Sequence, residues 1–145
     1  MKLKQEESAV VEVRRVYTDL AARPIERNCM RVKECCHFKL TGRTPYLTKG
    51  EALVAAKALR ATGRTQLPVN ATGACPLLEA ATGNCLIYES RPFGCRTHFC
   101  AAAGGPYARR EVIDLIRRLE AVDESLDESG PRLLQNAITD ALGEL

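Results

Sequence analysis

The sequence predicts a mainly α fold: a small single domain of four helices spanning residues 1–145, with two long cysteine-rich loops between the helices. Three observations predict it. The chain's 145 residues suit one hydrophobic core and leave little room for a second. Apolar residues recur at helical spacing in four stretches. All seven cysteines fall outside those stretches, within residues 29–100.

The first helix is expected over residues 5–22, where Val10, Val13, Val16, Tyr17 and Leu20 share a face and Pro24 stops the run. The second opens on Thr48-Lys49-Gly50-Glu51, which reads as a capping box: Thr48 and Glu51 each satisfy an orphan amide of the other's residue. Ala52, Ala55, Ala56 and Leu59 form its stripe, and Gly63 suits its end. The third is expected after Gly104-Gly105-Pro106, with Pro106 in its first turn and Val112, Leu115, Ile116 and Leu119 facing inward. The fourth begins near Pro131 and buries Leu134, Ala137, Ile138, Ala141, Leu142 and Leu145, which makes residues 106–145 a C-terminal helical pair. An acidic turn, Asp123 to Gly130, joins that pair. No strong strand alternation appears, although Cys85-Leu86-Ile87-Tyr88 suits a short strand.

Residues 23–47 and 63–105 are loop-like, and such long irregular stretches are unusual in a compact domain unless something else fixes them. Metal coordination does this, because its binding energy becomes folding energy. Cys29, Cys35 and Cys36 form one group; Cys75, Cys85, Cys95 and Cys100 form another. With no apolar stretch behind Met1 there is no sign of a secretory signal, so a reducing cytoplasmic setting is expected. There, clustered cysteines point to metal or redox chemistry rather than to disulfides. A single cysteine reads equally well as a small buried hydrophobe, but seven within 72 residues do not.

All seven are therefore candidate metal ligands. Four thiolates suit tetrahedral zinc and equally suit an iron–sulfur cluster, so both metals stay open. The chain holds no C-x-x-C pair, and adjacent Cys35 and Cys36 point apart too readily to share one mononuclear ion. They serve two metals, or one ligates while the other packs. His37 and His98 are candidate ligands or hydrogen-bond partners of ligands. Arg91 and Arg96 flank Cys95, where they stabilise thiolates, bind an anion, or simply pair with surface acids.

The run Cys85-Leu86-Ile87-Tyr88-Glu89-Ser90-Arg91-Pro92-Phe93-Gly94-Cys95-Arg96-Thr97-His98-Phe99-Cys100, preceded by Cys75-Pro76-Leu77-Leu78, resembles the YkgJ-type cysteine-cluster proteins. The resemblance spans residues 29–100 and implies zinc or iron chelation without implying a reaction. That family's N-terminal signature is C-x-x-C-x-x-C-C. Cys29, Cys35 and Cys36 match its first, third and fourth cysteines, while Val32 stands at the second and cannot ligate. The missing ligand then comes from another cysteine, a histidine or solvent.

The net charge of +3 hides an asymmetry: residues 1–110 carry +9 and residues 111–145 carry −6. A basic region suits nucleic acid, but the cations are scattered and aromatics make up only 5%, so charge balance around thiolates is the preferred reading over a nucleic-acid partner. No apolar run is long enough to span a membrane. Cys95 and His98 alone do not define a nucleophile, and there is no phosphate-cradling glycine loop. The expectation is an accessory or structural metalloprotein whose partner is the metal ion, with a protein partner left open; an iron–sulfur redox protein and a thiol redox sensor are the alternatives.

Overall fold

A computed structural model describes residues 2–23, 45–68, 74–79, 82, 84–97, 107–128 and 130–145. The four expected helices are present. Helix α1 (Lys2–Ala21) buries Val10, Val13, Val16, Tyr17 and Leu20, the face that the spacing predicts. Pro24 lies outside the described residues.

Strand β1 (Tyr46–Leu47) leads into helix α2 (Lys49–Ala61). Every residue from Gly50 to Ala56 is buried, so α2 is enclosed on all sides over these turns, packed against α1 and the two C-terminal helices. It closes at Thr62, and Gly63 takes a positive φ of 90° that glycine adopts without strain. Gly50 permits a close approach: a Cβ there would lie 2.8 Å from Val13 Cγ2 and 2.8 Å from Val122 Cγ1.

The capping box forms only in half. The Glu51 amide donates to Thr48 Oγ1 at 3.4 Å, but the Glu51 carboxylate accepts from the amide of Phe93 instead. The helix start is met from elsewhere: Asp123 accepts from the Lys49 amide at 2.7 Å and also from the Gly50 amide.

Helix α3 (Phe93–Thr97) is an element that the periodicity did not predict, five residues being too short to show a stripe. Helix α4 (Arg109–Ser125) starts later than expected, so Pro106, itself outside the described residues, does not occupy its first turn. The reason is Glu111, whose carboxylate accepts from the Ala108 amide at 2.8 Å and closes the helix there. The Tyr107 amide donates to Thr97 O at 2.9 Å, tying this entry to the end of α3.

The acidic segment divides: Asp123 to Ser125 belong to α4, and the turn follows, with positive φ at Asp127 (59°) and Gly130 (129°). Strand β2 (Arg132–Leu133) pairs antiparallel with β1, Tyr46 opposite Leu133 and Leu47 opposite Arg132. Helix α5 (Leu134–Glu144) therefore begins at Leu134 rather than near Pro131, because residues 132 and 133 are used in a long-range pairing. Leu142 of the expected stripe is half-buried and Leu145 is exposed; the other four are buried. Cys85-Leu86-Ile87-Tyr88 forms no strand: Cys85 makes an isolated bridge to Leu78, and Tyr88–Ser90 is a single 3-10 turn. Among the described residues no helix is long and apolar enough to cross a membrane.

The core joins α1, α2, α4 and α5 through Val13, Val16, Leu53, Val54, Leu59, Leu115, Leu119, Leu134 and Ile138. Cys75, Leu77, Ile87 and Phe93 belong to the same cluster. The cysteine-bearing segment is thus seated on the helical core.

Candidate metal centre

Of the predicted ligands, Cys75, Cys85 and Cys95 are described; Cys29, Cys35, Cys36, Cys100, His37 and His98 lie outside the described residues. Cys75 is buried, while Cys85 and Cys95 are half-buried. Cys75 and Cys85 are brought into one loop. Its turn is closed by the Leu78 amide donating to Cys75 O at 3.0 Å, and its arms are joined by Glu79 N to Asn84 O and Leu86 N to Leu77 O, each 2.8 Å. Among the described residues no three His, Cys, Asp or Glu side chains form a group able to hold a metal ion.

Cys95 sits on α3, which starts after Pro92 and is held by several polar contacts. The Cys95 and Arg96 amides donate to Pro92 O at 3.0 and 3.1 Å. Arg96 donates through Nε to Arg91 O and through Nη2 to Glu89 O, both 2.7 Å, and its guanidinium stacks 4.1 Å from the Tyr17 ring centre. Arg91 stacks 4.0 Å from the Tyr88 ring and donates to Tyr88 O at 3.0 Å. Among the described residues neither arginine forms the surface ion pair; both brace carbonyls and aromatic rings around the Cys95 segment.

Beneath α3 lies a polar cluster inside an otherwise apolar core. Glu51 is 3% exposed and Tyr17 is 5% exposed. Among the described residues neither Glu51 Oε2 nor the Tyr17 hydroxyl has a hydrogen-bond partner. Burial pushes the Glu51 carboxyl up to about 8; the Phe93 amide and Arg96 pull it down, and Asp123 adds to the rise. Burial likewise raises the Tyr17 phenol well above its ordinary value, reinforced by Glu51 and Cys95 and opposed by Arg96 and Arg14. Arg96 is pulled below its usual range by burial, with Cys95 among the groups that act against this. Tyr17, Glu51, Cys95 and Arg96 thus share one electrostatic environment.

The spacing of the sequence puts Tyr17 in the core and Glu51 in a helix cap, and does not show that both lie beneath α3 with Arg96. One signal was available: Glu51 is the only charged residue between Gly50 and Ala56, a run otherwise small or apolar.

A helical core on which a cysteine-bearing segment is seated, with Arg96 beside Cys95, defines the class: a small, mainly helical, cysteine-rich protein. The CxxCxxCC family model, described as "putative zinc- or iron-chelating domain", matches residues 28–122. The chain belongs to this family. No curated protein and no solved structure matches the chain.

The donor chemistry fits the metals that this family description names. Thiolates are good ligands for zinc and for iron, and carboxylate oxygens complete many such sites. Glu51 Oε2, buried without a partner among the described residues, is the kind of atom that a cation satisfies.

Proposed function

We propose that this chain is an accessory or structural metalloprotein that chelates zinc or iron through the thiolates of Cys29, Cys35, Cys36, Cys75, Cys85, Cys95 and Cys100. The observation that carries the reading is the family match over residues 28–122, which contains all seven cysteines. The seating of Cys75 in the helical core supports it, because a ligand anchored in the core couples metal binding to the fold. In this reading the metal staples the two cysteine-rich loops, the chain acts as one domain, and it works in a reducing cytoplasmic setting where thiolates persist.

When bound, the metal supplies either a closed structural node or, as a cluster with sulfide, an electron-transfer centre. Among this chain's own residues, Arg96 sets positive charge near Cys95. Arg91 and Arg96 hold the backbone of residues 88–96 in one conformation by bonding its carbonyls.

Elemental analysis of anaerobically purified protein tests the proposal. Stoichiometric zinc in a colourless protein is the expected outcome for the structural reading. Brown protein with iron, sulfide and air-sensitive visible absorbance assigns the chain to the iron–sulfur alternative. Absence of both metals, with every thiol reacting freely in a folded chain, overturns chelation.

A further inference from the structure

We propose that the Glu51 carboxylate is an oxygen ligand of the metal centre that includes Cys95, making the donor set mixed rather than all-thiolate. This rests on the chelation reading above and deepens it.

Three observations carry the proposal. Glu51 is 3% exposed, on the enclosed face of α2, where an ionised side chain is costly unless a partner compensates it. One carboxylate oxygen accepts from the Phe93 amide at the start of α3, and Cys95 lies two residues further along that helix. The other oxygen, Oε2, has no partner among the described residues.

The neighbouring charge is consistent with this. Arg96 acts on Glu51, Tyr17 and Cys95 together, yet its Nε and Nη2 are used on backbone carbonyls. It therefore moderates the negative charge of the cluster without itself closing Oε2. Carboxylate oxygen is an ordinary fourth donor beside thiolates for zinc and is acceptable to iron. A trapped water is the competing occupant of this spot, since it too satisfies a buried oxygen.

The test compares the full-length wild type, Glu51→Gln and Glu51→Asp under anaerobic conditions. Zinc and cobalt(II) are titrated against a competing chelator, the cobalt visible spectrum is recorded, and the metal-free forms are melted. Gln keeps an acceptor for the Phe93 amide but loses the charge. The expected result is a Glu51→Gln chain that melts no lower than wild type when metal-free, binds both ions about 10-fold or more weakly, and shows shifted cobalt ligand-field bands. Glu51→Asp, which keeps the carboxylate but retracts it, is expected to retain binding with an altered spectrum, and it carries the test should the Gln variant fail to fold. Unchanged affinity and spectrum in the folded variants overturn the proposal and leave a water in that place. Weaker binding with an unchanged cobalt spectrum also overturns it, reducing Glu51 to a positioning role. If the wild type takes up neither ion, chelation itself falls; if it binds normally and the variants match it, only the Glu51 ligand falls.

Discussion

Glu51 concentrates the physical tension of this structure in one side chain. Its carboxyl, pushed up to about 8 by burial, holds a proton in the folded chain where the unfolded chain has released it, near 4.5. In metal-free protein this contribution is therefore complete below about pH 4.5 and is lost as the pH climbs to about 8. Glu51→Gln should flatten that decline and leave the metal-free variant the more stable of the two at pH 8, as denaturant melts across this range will register. Arg96 illustrates the opposite case, a charge whose donors are well used. Arg96→Lys removes the planar fork that reaches Arg91 O and Glu89 O together and should cost about 1–2 kcal/mol, measured by urea denaturation. At Gly50, any side chain meets Val13 and Val122 at 2.8 Å. Gly50→Ala should therefore lower stability by about 1–3 kcal/mol despite alanine's better helix propensity.

Elements in this fold are ended by one another. The carboxylate that begins α2 comes from Asp123 in α4, while the carboxylate of α2 that should have capped its own helix goes to Phe93 at the start of α3. Asp123→Ala should cost about 1 kcal/mol, seen as a shifted urea midpoint with unchanged slope. Part of the gain from that cap is offset because burial raises the Asp123 carboxyl too. Helix α3, only five residues long, is far below the length at which a helix holds in water, so it depends on Glu51, Arg96 and the burial of Phe93. Strands β1 and β2 have two residues each and depend on their pairing with one another.

At the scale of the whole molecule, the helices supply stability that the cysteine segment shares through Cys75, Leu77, Ile87 and Phe93. In the chelation reading, Cys95→Ser should lower metal content and melting temperature together, and an unchanged metal content would remove Cys95 from the ligand set. By contrast, Arg118 joins α4 to Glu12 and Asp19 of α1 at the surface, and such exposed pairs are weak. Arg118→Ala should shift stability by less than about 1 kcal/mol, an effect that fades further in high salt.

The helical class, the four long helices and the inward faces of α1, α2 and α4 were legible in the sequence, because each depends on spacing within a single stretch of chain. Family membership was legible too, in the run from Cys85 to Cys100 and in the spacing of Cys29, Cys35 and Cys36. Helix α3, the pairing of β1 with β2, the exchange of caps between Glu51 and Asp123, and the meeting of Tyr17, Glu51 and Arg96 beneath α3 were not. Tyr17 and Arg96 stand 79 positions apart in the chain, and Thr48-Lys49-Gly50-Glu51 reads as a complete local cap until Phe93 and Asp123 arrive. Local periodicity reports which face of a helix is apolar. Only tertiary packing decides which distant backbone amide a buried carboxylate meets, because burial removes water as the alternative partner and leaves the choice to whatever the fold brings within reach.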